Sequence, residues 1–231
     1  MSNVLDKIKS RGYWHVAIRP AEFVENRIES LGKCKELIRE LAVHFRGWDY
    51  PHYDTRNQPT SGIDYVEQSL DWQDKIEFWR FYQSGQFVHY FGIWEDWQDQ
   101  RTLYGSRLDS KPGQILSIVG AVYHFTEIYE FASRLAVKNH LGKDCKISIT
   151  VHGTKGRLLT MLDPGRLLFG NYRSTLDSIS REASMSTETL ISKAPELAMD
   201  HAVWVFQRFN WDNIPRGVLQ EDQKKLLERR L

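Results

Sequence analysis

The amino-acid sequence predicts an α+β fold, in which helices pack on a mixed, mainly antiparallel sheet that is rich in aromatic residues. Several segments alternate apolar and polar residues with the period of two that is typical of half-buried strands. Other segments repeat apolar residues at the helical spacing of three and four. Aromatic side chains crowd one short region, from Trp72 to Trp97. We expect these segments to share one core, as a single domain covering residues 1–231.

The first half of the chain contains the clearest strand signals. In residues 13–19, Trp14, Val16 and Ile18 share one face, and Pro20 ends this predicted strand. Strands at 75–82 and 86–93 are predicted to pair as an antiparallel hairpin, because Ser84 and Gly85 suit a two-residue turn between them. The other elements predicted here are helices at 4–9 and 31–45, a loop at 47–62 and a strand at 63–70.

The second half is predicted to contain the central helix, at residues 115–137, where apolar residues fall on one broad stripe. Strands 146–151 and 157–162 are predicted to form a second hairpin around Gly153 and Gly156. The polar stretch 174–189 is interpreted as a linker or as a loop over the core. The remaining predicted elements are a short strand at 190–192 and helices at 195–209 and 218–231.

Composition argues against several classes of protein. The chain has 31 basic and 30 acidic residues, so it has no overall field that would steer it to nucleic acid or to anionic membranes. Residues 1–12 lack the apolar stretch of a signal peptide, and no window is apolar enough for a membrane span, which predicts a cytoplasmic protein without membrane association. Cys34 and Cys145 form no CxxC pair, so neither a zinc site nor a redox pair is expected from them. We predict no bound metal and no cofactor.

Familiar catalytic motifs are absent from the sequence, which has no dinucleotide fingerprint, P-loop, HExxH motif or GxSxG elbow. The candidates for a catalytic role are His52 and Asp54, because imidazole and carboxylate groups bind divalent metals and transfer protons near neutral pH. The favoured interpretation is a surface loop in which both side chains only make hydrogen bonds. Nothing at a fixed spacing supplies a third ligand.

Other ionisable residues in the predicted elements are interpreted as structural. Glu127 and Glu130, on the predicted central helix, are expected to face solvent. The histidines in or beside predicted elements are expected to be core or edge residues whose ring nitrogens bind the backbone; they are His15, His89, His124 and His152.

Charge is distributed unevenly along the chain. Residues 62–109 contain nine acidic and four basic residues, so the aromatic region is a poor surface for a phosphate backbone and is interpreted as core or as a protein interface. Residues 146–175 contain five basic residues and one acidic residue, with glycines nearby that let backbone amides approach an anion. A solvated hairpin is the competing interpretation of this basic segment. The candidate anion-binding residues are Lys155, Arg157, Arg166 and Arg173.

Three motifs resemble those of an uncharacterised bacterial protein family: GYWHVAIRP at 12–20, RGWDYPH at 46–52 and FWRFYQSGQFVH at 78–89. The same region is loosely similar to regions associated with Schlafen-type AlbA DNA-binding proteins. The resemblance covers roughly the first 100 residues and assigns no catalytic residue. It implies a bacterial source and a regulatory or defence setting.

These observations leave three hypotheses of function. The leading one is a non-enzymatic binding or regulatory module that recognises a protein partner or an anionic, phosphate-bearing ligand. The alternative is a nucleic-acid-binding protein or a metal-dependent nuclease that uses His52 and Asp54. The third is a subunit of a homo-oligomer or other assembly, with the aromatic region as its interface.

Overall fold

The computed structural model describes residues 2–72, 74–98, 110–163, 165–166, 168 and 170–230. Its helices are α1 (Ser2–Lys9), α2 (Leu31–Leu41), α3 (Ile118–Val137), α4 (Thr187–Gln207) and α5 (Arg216–Leu227). Its strands are β1 (Tyr13–Pro20), β2 (Thr60–Ser61), β3 (Tyr65–Trp72), β4 (Lys75–Tyr82), β5 (Phe87–Gly92), β6 (Ile115–Ser117), β7 (Asp144–His152), β8 (Leu158–Thr160) and β9 (Ser178–Ser186). None of the helices in these residues is both long enough and apolar enough to cross a membrane.

Seven strands form one sheet in the order β2-β3-β4-β5-β1-β7-β9, and every pairing in it is antiparallel. β1 lies inside this sheet, between β5 and β7. β6 and β8 form a separate parallel pair. The arrangement confirms the predicted α+β class with a mainly antiparallel, aromatic-rich sheet.

The two faces of the sheet pack against different helices. Trp14 of β1 contacts Phe125 of α3 edge to face, with ring centroids 5.2 Å apart, and Phe87 of β5 lies 4.8 Å from Phe131 of the same helix. We call this side the inner face; it carries the main apolar core. α1 covers part of the opposite, outer face through a small cluster formed by Ile8, Ile76 and Phe78.

The predicted hairpin at 75–93 is confirmed as β4 and β5. Its turn has three residues rather than two, because the Tyr82 N–H donates to Gln86 O at 2.9 Å and closes the ladder around residues 83–85. Gly85 has a φ of +86°, the left-handed conformation that ends such three-residue turns and that glycine adopts without strain.

The central helix begins three residues later than predicted. Residues 115–117 form β6, which pairs with β8, and the helix α3 starts at Ile118. Ser117 caps it, since its hydroxyl oxygen accepts a hydrogen bond from Gly120 N at 3.0 Å. The apolar stripe is therefore shared by a buried strand and a helix, which periodicity alone does not separate.

The predicted hairpin of 146–151 with 157–162 is wrong. β7 pairs with β1 and β9, while β8 leaves the main sheet to pair with β6. The amides of Gly153 and Thr154 both donate to Asp177 O, at 2.9 and 3.0 Å, and so join the end of β7 to the approach of β9. The polar stretch predicted as linker or loop contains β9, whose burial pattern includes a single buried residue, Ile179.

The strand predicted at 190–192 is also wrong, because these residues lie in the first turns of α4. Ser186 caps this helix by accepting a hydrogen bond from Thr189 N at 3.1 Å. The helix is kinked at Lys193, two residues before Pro195, which explains why the sequence suggests a helix start at 195. The last predicted helix is confirmed as α5, and Leu231 lies outside the described residues.

Candidate functional site

A pocket opens on the inner face of the sheet, between β4, β5, α3 and the loop at 46–50. Its empty space is about 560 Å³ when the open mouth is counted. Its ionisable lining residues are Arg46, Asp49, Asp74, Lys75, Glu77, His89, His124 and Glu127. Its aromatic walls are Trp48, Tyr50, Phe91 and Trp94. We call it the Glu77 pocket.

Strand geometry places Glu77 and His89 side by side on the inner face. Successive side chains of a strand point to opposite faces, so Glu77 shares the inner face with Trp79. Trp79 is paired with His89 across the β4–β5 ladder, and Glu77 is paired with Phe91. Both polar residues are buried, at positions where the neighbouring inner-face residues are aromatic.

The Glu77 carboxylate is held by two side-chain donors. Trp48 Nε1 donates to Oε1 at 2.9 Å, and His89 Nε2 lies 2.8 Å from Oε2. Burial alone raises the pKa of Glu77, but the hydrogen bonds from His89 and Trp48 outweigh burial and lower it below the ordinary value. The carboxylate is therefore ionised at neutral pH, and Nε2 of His89 carries the proton that faces it. His89 Nδ1 is buried and has no hydrogen-bond partner among the described residues.

A second carboxylate, Glu127 of α3, lies across the pocket in an ion pair with Arg46. Arg46 Nε and Nη2 donate to its two oxygens at 2.7 and 2.6 Å. Burial raises the pKa of Glu127, although Arg46 opposes the shift. Arg46 Nη2 also donates to His124 Nδ1 at 3.1 Å, and burial followed by Arg46 lowers the pKa of His124 far below its usual value. His124 is therefore a neutral acceptor at pH 7.

The prediction that Glu127 faces solvent is wrong, because its side chain is only 1% exposed. The stripe of α3 that contacts the sheet includes Glu127, and the buried charge is compensated by Arg46 from the loop after α2. Glu130, predicted with it, is partly exposed and pairs with Arg134 one turn along the helix at 2.9 Å.

Lys75 supplies a cation to the pocket wall. It is the first residue of β4, and among the described residues its ammonium group has neither an ion pair nor a hydrogen bond. Burial lowers the pKa of Lys75, although Asp74 opposes the shift. Its Nζ lies 5.7 Å from the centre of the Trp48 ring. Trp48 in turn stacks on His52, with ring centroids 3.9 Å apart, and on Trp72, with centroids 6.0 Å apart.

His52 lies beside the pocket, whereas the Asp54 side chain makes hydrogen bonds within its own loop. The backbone N–H of His52 approaches Glu77 Oε2 at 3.4 Å, and its buried Nδ1 has no partner within the described ranges. Asp54 is buried and accepts from Arg56 N at 2.9 Å and Asn57 Nδ2 at 2.8 Å, which organises its own loop. No three His, Cys, Asp or Glu side chains in the described part of the chain are placed to hold a metal ion. A catalytic role for His52 and Asp54 stays a prediction.

Arg157, one of the four predicted anion-binding residues, is buried against a carboxylate. Its side chain is 1% exposed and that of its ion-pair partner, Asp96, is 2% exposed. Nη1 donates to Asp96 Oδ1 at 2.8 Å, and Nη2 donates to Oδ2. The amides of Gly12 and Gly113 also donate to Asp96, at 2.9 and 2.8 Å. The pair thereby joins the start of β1 to the segments before β6 and β8.

The other three predicted anion-binding residues differ in their surroundings. Arg166 donates twice to Asp222 of α5, at 2.7 and 2.8 Å. Arg173 is exposed and donates to Gly156 O at 2.7 Å. Lys155 is exposed, and its ammonium lies 3.8 Å from Asp177. Binding of an anion by these residues stays a prediction. At Arg157 and Arg166 the anion would have to compete with the carboxylates of Asp96 and Asp222.

Comparisons with protein-family models, with curated proteins and with solved structures find no match to this chain. The resemblance of its three motifs to a bacterial family therefore stays a prediction.

The sequence contains one signal that points to the Glu77 pocket. Lys75 and Glu77 stand two residues apart in a predicted strand, on the same face as Trp79 and Phe81, which are buried. Ionisable residues on an otherwise apolar strand face are rare in a structural core and indicate a site. Arg46 and Glu127 carry no such signal, because they meet the pocket only through the packing of a loop and a helix.

Proposed function

We propose that the chain is a non-enzymatic binding module that holds a small polar molecule in the Glu77 pocket. The observation that carries this proposal is the buried, ionised carboxylate of Glu77, fixed by Trp48 and His89 on the inner face of the sheet. The Arg46–Glu127 ion pair lies across the same space. Together they supply fixed donors and acceptors inside a partly apolar cleft, as ligand-binding pockets do.

The free-energy cost of this arrangement supports a role in binding rather than in folding. A buried ion pair such as Arg46–Glu127 often stabilises a protein less than well-packed apolar residues of similar size. The ammonium of Lys75, on a partly buried side chain and without a partner among the described residues, loses part of its hydration without compensation. Ionisable groups with shifted pKa values that line one cavity are therefore typical of functional sites.

An acid–base enzyme is a second candidate, and the two glutamates favour it. The pKa of Glu77 is lowered and that of Glu127 is raised, the pattern that separates a general base from a general acid. A binding module releases its ligand unchanged, whereas an enzyme converts it. The two functions are separated by incubating the protein with a molecule that it binds and then identifying what is recovered. Unchanged molecule indicates a binding module, and a product indicates an enzyme.

Replacement of Glu77 by glutamine tests the pocket. Benzoate, benzamide and benzamidine share one ring and differ in charge, and tryptophan fluorescence reports their binding because Trp48 and Trp94 line the pocket. We expect at least one probe to bind the wild type saturably. Glu77→Gln should weaken every probe that binds by about tenfold or more, since hydrogen bonds to a charged group contribute about 1.5–3 kcal/mol each and here they fix Trp48 and His89.

Glu36→Gln is the matched control, because Glu36 lies on α2 in an exposed ion pair with Lys33. It should bind the probes as the wild type does. Circular dichroism and thermal unfolding establish that Glu77→Gln is folded at the temperature of the titration. A wild-type protein that gives no saturable response to any probe would rule out the pocket as a site for molecules of this size.

A further inference from the structure

We infer that Lys75 binds the anionic group, a carboxylate or a phosphate, of a ring-bearing ligand in the Glu77 pocket. This inference rests on the proposed function, since it names the chemistry of the ligand for the same pocket.

Most carboxylates of the pocket wall already have partners. Both oxygens of Glu127 and both oxygens of Glu77 accept hydrogen bonds from side chains of the pocket. Asp49 lies 2.6 Å from His44 Nδ1. These carboxylates are therefore satisfied without Lys75.

Among the residues that the structure describes, the ammonium group of Lys75 has no ion-pair partner. Its side chain is partly buried at the pocket, and no carboxylate of the described residues forms an ion pair with it. Asp74 also lines the pocket and favours the charged form of Lys75, but it stays outside ion-pair distance. Removing an ammonium from water costs free energy unless a counter-ion and hydrogen bonds replace the lost hydration. An anionic group on the ligand would supply both.

Aromatic side chains next to Lys75 favour a ligand that carries a ring. Trp48 lies beside the ammonium, and Trp72, which stacks on Trp48, is 48% exposed. Trp94 forms another part of the wall. Flat apolar surfaces of this kind bind planar rings by stacking. A cationic ligand is the competing choice, with Asp74 as its partner.

The test compares wild type, Lys75→Met and Lys75→Arg with four probes: benzoate, phenyl phosphate, benzamide and benzamidine. We expect benzoate or phenyl phosphate to bind the wild type about tenfold or more tightly than benzamide, as charge-assisted hydrogen bonds are the stronger ones. Lys75→Met should abolish this preference while benzamide binding changes by less than about twofold, because an uncharged probe gains little from an ammonium. Lys75→Arg should retain most of the preference.

Lys33→Met is the control for the loss of one positive charge, because Lys33 lies on α2 and pairs with Glu36. It should leave all four affinities unchanged. The inference is overturned if the preference for anions persists in Lys75→Met, or if benzamidine binds the wild type most tightly. Binding of no probe by the wild type removes the proposed function, and this inference with it. The tighter of the two anions identifies the carboxylate or the phosphate as the preferred group.

Discussion

Replacement of Arg157 by methionine is expected to lower the free energy of unfolding by about 3–5 kcal/mol, because breaking a buried ion pair leaves the other charge uncompensated. The carboxylate left behind is that of Asp96, which is 2% exposed. Arg157 also donates to Ile115 O and Gly153 O, at 2.8 and 2.7 Å, and these carbonyls would lose a donor as well. The effect is a large share of the stability of a typical domain, about 5–15 kcal/mol.

Urea unfolding followed by circular dichroism measures this loss. The control is Arg173→Met, since Arg173 is exposed and its loss should cost much less. Asp96→Asn combined with Arg157→Met should be less unstable than the sum of the two single variants, because the double variant buries no charge. Equal stability of Arg157→Met and Arg173→Met would contradict the structural role of the pair.

The Arg157–Asp96 ion pair also changes how the predicted anion site is tested. Charge reversal at Arg157 would place two carboxylates against each other in the core, so loss of binding there would report unfolding. Gly12 permits the close approach of the pair, since a Cβ at this position would lie 2.0 Å from Arg157 Nη2. Lys155 and Arg173 are exposed and are the positions at which a charge change tests anion binding.

The second large effect is expected at acid pH, from His201 of α4. Burial, followed by Arg181, lowers the pKa of His201 to about 3. Its Nδ1 lies 3.0 Å from the Tyr129 hydroxyl, its ring stacks on Phe125 at 5.0 Å, and its buried Nε2 has no partner among the described residues. The folded protein therefore keeps this imidazole neutral.

The unfolded chain protonates the same histidine near pH 6.5, so its contribution to stability is complete above that pH and is lost as pH falls toward 3. One pKa unit corresponds to about 1.4 kcal/mol, so the loss reaches about 3 kcal/mol by pH 4. We expect the stability of His201→Gln to fall less steeply than that of wild type between pH 7 and pH 4.

Denaturant unfolding at several pH values measures the free energy of unfolding of wild type and variant. In the difference between the two values, the contributions of titrating groups common to both proteins cancel. One of these is Glu95, whose pKa burial raises to about 7 and which therefore stabilises the fold below that pH. His44→Gln is the control, because the His44 ring is 52% exposed. Parallel pH profiles for wild type and His201→Gln would show that His201 does not titrate on unfolding.

Local patterns in the sequence were sufficient to predict the elements whose side chains meet apolar neighbours on one face. β1 and the β4–β5 hairpin follow from period-two alternation, and α2 and α5 follow from helical spacing. Local sequence patterns did not predict which strands pair with each other. β9 buries only Ile179 along its length, so its sequence resembles a polar loop, and backbone hydrogen bonds to β7 make it a strand.

The candidate site divides in the same way. By itself the sequence determined that Lys75 and Glu77 lie on one face of an aromatic strand, because alternation along a strand depends on the backbone alone. Only the tertiary structure decided that Arg46 and Glu127 face them and that Arg157 lies in the core beside Asp96. The physical reason is that an ionisable residue is stable in the interior only with a compensating partner, and these partners lie 81 and 61 residues away along the chain.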